Sequence, residues 1–313
     1  MRRRNAIFAQ SIFFSAAAIL ALSTAAIFLF IGGSGLAVFQ HMSPAEFFGA
    51  RTWDQNSETF GVLPLLYGSV ATTLITLLIS GPLAIAVAVF MVEIAPGPIR
   101  RIMRTTVELF ASLPSVIYGL LGLVIVVPWV RETMDTGLGK GILAASIVLV
   151  FMTQPTMVSI AEDALRSLPE TLREGALATG ATRWQMIWRV LIPAARPGLL
   201  TAVILGMGRA VGETMAVQMV VGNITSRIPK NLVTGGTTMP AAIVTQLPEA
   251  TSDEHRSALI MVAFLLLLIT LALIAGVRAA TGGRANRANR RPLTAATSGT
   301  RAPAVAKALE TKV

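Results

Sequence analysis

Six long apolar runs, separated by short polar stretches, organise the 313-residue chain. They extend from about Ile7 to Ile31, Pro64 to Val92, Val107 to Val130, Gly141 to Ser159, Pro197 to Gly222 and Ser257 to Val277. A helix of about 20 apolar residues crosses the hydrocarbon core of a bilayer, so each run predicts a membrane-spanning helix. The first follows Arg2, Arg3 and Arg4 and outruns the ~7–15-residue apolar region of a cleaved signal peptide, which predicts an uncleaved span. Gly81-Pro82 predicts a kink in the second span. Pro114, within ASLPSVIYGL, frees a backbone carbonyl in the third and reads equally as a packing kink or a lining position. Thr153, Gln154 and Pro155 stand near the end of the fourth.

The polar stretches differ in kind. Residues 40 to 63 read as a polar loop with His41, Glu46, Arg51, Trp53, Asp54 and Glu58. Between spans five and six, MPAAIVTQL (239 to 247) predicts a short helix lying at the membrane surface. Residues 279 to 313 are rich in Gly, Ala, Thr, Pro and Arg and predict a disordered basic tail. The stretch REGALATGATRWQMIWRVLIPAARPG (173 to 198) is an amphipathic island. Ser167 and Glu170 are spaced as a capping box, and Leu165, Leu168, Leu172 and Ala176 recur along one helical face. Gly180 predicts a left-handed stop. Thr182 and Gln185 repeat the capping spacing before Trp184, Ile187 and Leu191, and Pro193 and Pro197 break the pattern. The island reads as helix, glycine, helix, outside the lipid between two spans.

That island resembles the loop of permease subunits in bacterial ATP-driven importers. Their signature is Glu-Ala-Ala, three residues, Gly, nine residues, Ile, one residue, Leu-Pro. Glu174, Gly175, Ala176, Gly180, Val190, Ile192 and Pro193 take the matching positions, with Gly175, Val190 and Ile192 as exchanges. The resemblance implies an all-α polytopic membrane protein with six transmembrane helices, the type I ABC importer permease fold, and a cytoplasmic coupling-helix loop. It implies that Glu174, Gly175, Ala176, Gly180, Arg183 and Pro193 belong to the loop that meets an ATPase.

Composition agrees with a membrane protein: 54% of residues are hydrophobic and only 13% charged, about half the charged share of a soluble domain. The chain has no cysteine, which removes disulfide and thiol chemistry. Its net charge of +10 does not point to nucleic acid, because the arginines flank apolar runs and cluster in the tail. The N-terminus, the 93–106 loop, the 161–197 loop and the tail hold most of the Lys and Arg residues. The opposite loops hold only Arg51, Arg131, Lys140, Arg227, Lys230 and Arg256, so both ends are expected in the cytoplasm. GLGKG (137 to 141) lacks the spacing of a nucleotide-binding loop, so ATP and Mg belong on a partner chain. His41 and His255 are isolated and predict no metal site. Gly32 to Gly35 reads as a flexible helix end, since a serine-protease reading needs a histidine that no span carries.

The fifth span carries LGMGRAVGETMAVQMVVGN (205 to 223). Arg209 and Glu213, four apart, are expected on one helical face and in contact. Two readings stand: an ion pair bracing the bundle, or the lining of an anion path. GRAVGETMAV, ASLPSVIYGL and REGALATGATRW resemble the PstC-type permease of bacterial phosphate importers over roughly residues 64 to 278. The organisation implied is an N-terminal end, first span and periplasmic loop (1–63), a permease domain (64–278) and the tail (279–313). The resemblance also implies a PstA-type permease as partner in a heterodimer, an ATPase dimer and a periplasmic phosphate-binding protein in the bacterial inner membrane. Arg209, Glu213, Thr214 and Ser115 are the expected substrate-path residues. Sulfate or molybdate import, and secondary transport without an ATPase, are the rival readings.

Overall fold

The computed structural model describes the backbone of residues 2–55 and 57–288. In chain order the helices are α1 (Arg2–Leu36), α2 (Pro44–Gly49), α3 (Leu63–Val89), α4 (Gly97–Ser112), α5 (Ser115–Leu121), α6 (Val127–Thr133), α7 (Ile142–Arg166), α8 (Glu170–Ala178), α9 (Arg183–Met186), α10 (Ile192–Gly212), α11 (Met215–Val220), α12 (Met239–Gln246) and α13 (Asp253–Ala288). Two-residue strands, β1 (Trp53–Asp54) and β2 (Thr59–Phe60), pair antiparallel before α3. Among the described residues six helical runs are long and apolar enough to cross a membrane: Ile12–Gln40, Leu63–Ile94, Ser115–Thr133, Ile142–Arg166, Arg183–Gly212 and Asp253–Gly276.

α7 is the central helix. Its apolar window is 67% buried, whereas that of the first span is 0% buried. α3 lies along α7, and α10 packs on both. α1 touches α13 where its glycines let it approach: a Cβ on Gly35 would stand 3.0 Å from the Met261 Cα, and Phe28 meets Phe264 edge-on. Gly32 and Gly35 stand in the last turns of α1, as expected of a helix end, and there they form a packing surface against α13.

Prolines set the places where helices widen or stop. Three π-helical turns, Phe90–Ile94, Gly122–Val126 and Ile187–Leu191, each precede an X-Pro pair: Ala95-Pro96, Val127-Pro128 and Ile192-Pro193. A proline ring collides with the carbonyl four residues back and donates no hydrogen bond. Widening the preceding turn moves that carbonyl away, and the residue before each proline donates five residues back instead, to Phe90 O, Gly122 O and Ile187 O. Pro193 and Pro197 therefore lie within the continuous Arg183–Gly212 run and do not end the second loop helix. At Pro114 the outcome differs: Leu113 is extended (φ −68°, ψ 133°), so the third span starts at Ser115 and α4 is a separate helix.

The expected polar loop at 40–63 contains a small core. Phe47, Trp53 and Phe60 are fully buried with Val38, Leu65, Met239 and Leu259. Buried His255 stacks on Phe60, and Gln246 Oε1 accepts from Trp53 Nε1 at 2.7 Å. α12 begins inside the protein instead of lying on a surface: Met239 to Ala242 are buried, and Met239 N–H donates to Ser69 Oγ at 2.8 Å. Beside this contact Gly68 faces the backbone of Thr237 so closely that any Cβ would collide with the carbonyl oxygen. The chain divides into a compact unit of residues 1–274 and a second unit, 275–313. The backbone of α13 is helical as far as Ala288, ten residues into the segment expected to be a tail. The rest of the tail lies outside the described residues.

Candidate functional site

The loop between α7 and α10 is built by local backbone chemistry. Ser167 ends α7: its N–H donates to Asp163 O and its hydroxyl to Ala164 O. It does not cap α8, whose N-cap position is Pro169, so the expected Ser167–Glu170 capping box is absent. α8 closes as predicted on Gly180, at φ +83°. Gly180 N–H donates to Leu177 O and Ala181 N–H to Ala176 O, the double bond of a Schellman ending. Thr182 and Gln185 form the expected capping box, at 3.2 and 3.0 Å, and start α9. Ala176 packs against the buried cluster that includes Leu165, Ile187 and Leu191, while Glu174, Gly175, Gly180 and Arg183 are exposed. A Cβ on Gly175 would meet nothing within 4 Å, so no close contact demands the exchange from alanine, which costs α8 roughly 1 kcal/mol of helix propensity.

Pro193 is only partly exposed and lies in α10, away from that outward face. Arg173, adjacent to Glu174, was not singled out by the sequence pattern. Its guanidinium bonds Glu93 Oε1 at 2.9 and 3.1 Å and Glu170 Oε2 at 3.2 Å. The hydrogen bond to Glu93 raises the pKa of Arg173 against the opposing effect of burial.

The mid-span residues arrange differently from expectation. α10 ends at Gly212, and Glu213 is extended (φ −72°, ψ 126°) before α11 begins. The four-residue spacing therefore does not place Arg209 and Glu213 on one helical face, and the expected ion pair is corrected. Arg209 Nη1 donates to Thr156 Oγ1 on α7 at 2.8 Å. Glu213 Oε1 accepts from Ala216 N–H at 3.2 Å, at the start of α11, where unpaired N–H groups favour a carboxylate. Glu213 lines a tight crevice with Ser69, Thr72, Thr73 and Thr238. Thr214 Oγ1 turns back to Gly212 O at 3.3 Å. Half-buried Ser115 starts α5, which runs parallel to α11, with Gly119 against Ala216 and Gly122 against Val220. The starts of these helices, at Ser115 and Thr214, consequently share one end. Ser115, Glu213 and Thr214 thus gather around two helix starts, while Arg209 is held by Thr156 of α7.

Sequence reasoning missed the hydroxyl stripe of α3. Ser69, Thr72, Thr76 and Ser80 recur at three- and four-residue steps, all buried. Thr72 and Thr76 satisfy themselves on their own helix, on Gly68 O and on Thr72 O at 2.7 Å, while Ser69 accepts from Met239 N–H. Ser80 reaches across: its hydroxyl lies 2.9 Å from Thr153 Oγ1, and its carbonyl accepts from Gln154 Nε2 at 3.1 Å. The helical spacing of these hydroxyls was the available signal.

Residues 80–280 match the family of binding-protein-dependent transport system inner membrane components. The chain belongs to that family. Among relatives of this permease, the phosphate transport system permease protein PstC of Xylella fastidiosa (strain 9a5c) is 36% identical over 82% of this chain and 83% of its own. The YqgH protein of Bacillus subtilis (strain 168), described as a probable ABC transporter permease, is 47% identical over 66% of this chain and 68% of its own. The permease shares its fold with a chain of a bacterial alginate ABC transporter crystallised with a pentasaccharide-bound periplasmic protein. That match has TM-score 0.60 and 16% identity, over 85% of this chain and 93% of the other.

Proposed function

We propose that this permease passes inorganic phosphate through the inner membrane, with Arg209 as the cation that lowers the barrier for the anion. The carrying observation is that Arg209, on a membrane-spanning helix, makes its hydrogen bond to a neutral threonine, and among the described residues no carboxylate pairs with it. A guanidinium has five N–H donors, and Thr156 occupies one. An arginine at mid-membrane costs about 2.5–3.5 kcal/mol on insertion scales, a cost that anion passage justifies. The PstC name of several relatives supplies phosphate as the anion. The complete machine would add a PstA-type permease, two ATPase subunits holding ATP and Mg, and a periplasmic phosphate-binding protein. Uptake of labelled phosphate in a strain lacking this gene, restored by the gene and unaffected by excess sulfate or molybdate, tests the reading. Competition by either oxyanion would overturn it.

The outward face of the loop, with Glu174, Gly180 and Arg183, would seat in the ATPase. A β-branched residue is strongly disfavoured at φ +83°, and the left-handed conformation costs L-residues roughly 1–2 kcal/mol. Gly180→Val is therefore expected to weaken ATPase retention by about 5- to 30-fold, while Gly175→Ala retains it. Co-purification of the ATPase with each variant measures this. Full retention by Gly180→Val removes the glycine from the contact.

With both ends in the cytoplasm, 40–63 would face outward and α8 inward. Cysteines at the exposed positions Arg51 and Thr171, in a chain with no other cysteine, should label oppositely in intact cells. An impermeant thiol reagent is expected to reach position 51 only. Labelling of position 171 alone reverses the orientation.

A further inference from the structure

Arg173 is the most heavily committed side chain in the loop. Its Nε and Nη2 donate to Glu93 Oε1 at 3.1 and 2.9 Å, and Nη2 also donates to Leu165 O at 3.1 Å. Nη1 donates to Leu168 O at 3.3 Å and Glu170 Oε2 at 3.2 Å. All five donors of the guanidinium are thereby used. The Arg173 and Glu93 side chains are only 13% and 7% exposed, so solvent screens their attraction little. Among the described residues this is the one salt bridge joining α8 to a membrane span.

Glu93 occupies a mechanically distinctive place. It lies in the π-helical turn Phe90–Ile94 that extends α3, where the widened turn frees carbonyls. Arg100 of α4 takes them up, donating from Nε to Met91 O at 2.6 Å and from Nη2 to Val92 O at 2.9 Å. The turn is thus gripped on its side chain by the loop and on its backbone by α4. The remaining hold of α8 is apolar packing through Ala176, which is non-directional and lets surfaces slide. A planar guanidinium fixed at five points does not slide.

We infer that Arg173 and Glu93 form a strut that carries displacement of the loop helix to the end of α3 and, through Arg100, to α4. They are positioning residues for transport and lie behind the surface offered to the ATPase. The inference rests on the importer reading above. Its distinctive consequence is uncoupling: without the strut, the ATPase still binds and turns over, but its motion reaches the spans poorly.

The complete importer in proteoliposomes, supplied with inorganic phosphate, allows uptake and ATP hydrolysis to be read on the same vesicles. In Arg173→Gln and in Glu93→Gln, phosphate taken up per ATP should fall by about tenfold or more, with the ATPase retained. The double variant should be no worse than either single one, since each alone breaks the link. Arg173→Lys, which keeps the charge but cannot hold all five contacts, should fall between them and wild type. Unchanged uptake per ATP in both single variants overturns the strut. Should Arg173→Gln fail to assemble, Glu93→Gln and Arg173→Lys provide the same readout, and failure of all three assigns the pair to folding and overturns the strut too. A wild-type complex that does not retain an ATPase, or takes up phosphate without hydrolysis, instead defeats the importer reading before any variant is compared.

Discussion

Arg209→Gln is expected to cut phosphate uptake by about 10- to 100-fold at unchanged membrane levels, the loss that follows from ~1.5–3 kcal/mol of charge-assisted hydrogen bonding to the anion. The structure makes this variant a clean probe. Removing one member of a buried ion pair strands the other charge and costs about 3–5 kcal/mol, which confounds transport with folding. Here Arg209 bonds Thr156 Oγ1, to which a glutamine amide can also donate, and Glu213 keeps its own partner in Ala216 N–H. Nothing charged is stranded. Exchanging the charges, Arg209→Glu with Glu213→Arg, should not rescue uptake, because the helix ends between the positions and the two side chains face different partners. Uptake of labelled phosphate beside an immunoblot of membrane fractions decides the matter. Wild-type uptake in Arg209→Gln would take the arginine out of the path, and a parallel fall in protein would make it a structural residue.

Gly68→Ala should be the most damaging conservative change to the fold itself. The added methyl group meets the Thr237 carbonyl oxygen, which is backbone and cannot rotate away. Relief requires moving the segment that starts α12, and with it the hydrogen bond from Met239 N–H to Ser69 Oγ. Overpacking costs ~1–3 kcal/mol and a lost hydrogen bond about 0.5–1.5 kcal/mol more. A lower thermal midpoint in detergent and reduced membrane yield are expected. Gly33→Ala is the matched control: a Cβ there meets nothing within 4 Å, and alanine suits a helix interior better by roughly 1 kcal/mol. Equal midpoints for the two variants would show that α12 readily shifts.

The sequence was legible where the signal is local. Gly180 ends a helix because of its own φ, and the Thr182–Gln185 box closes within four residues, so neither depends on distant packing. The six spans follow from length and hydropathy alone. What failed depended on competition between neighbours. Ser167 could cap α8 or end α7, and Pro169 at the N-cap position settles it for the latter. The four-residue spacing of Arg209 and Glu213 has meaning only if the helix continues, and it stops at Gly212. The core under Phe47, Trp53 and Phe60 was hidden because its other half, Met239 and Leu259, lies far along the chain. Arg173 was overlooked for the same reason: its partner stands 80 residues earlier.

The π-helical turn Ile187–Leu191 has a consequence for how such a chain tolerates length change. A π turn holds one residue more than an α turn, and each residue of an α-helix turns the axis by about 100°. Deleting one residue there would let the helix close into regular α geometry without a gap. Because the wide turn already absorbs that residue, α10 would keep its phase relative to α9, with Arg209 still against Thr156 and Ala202 and Ala210 still buried. The same deletion inside α10, between Ile192 and Arg209, has no such slack: it would rotate the residues beyond it by about 100° and turn their buried face away from α7. The wide turn is thus the place where this helix can lose a residue and keep its register, and a deletion there should be far milder than one a few turns later.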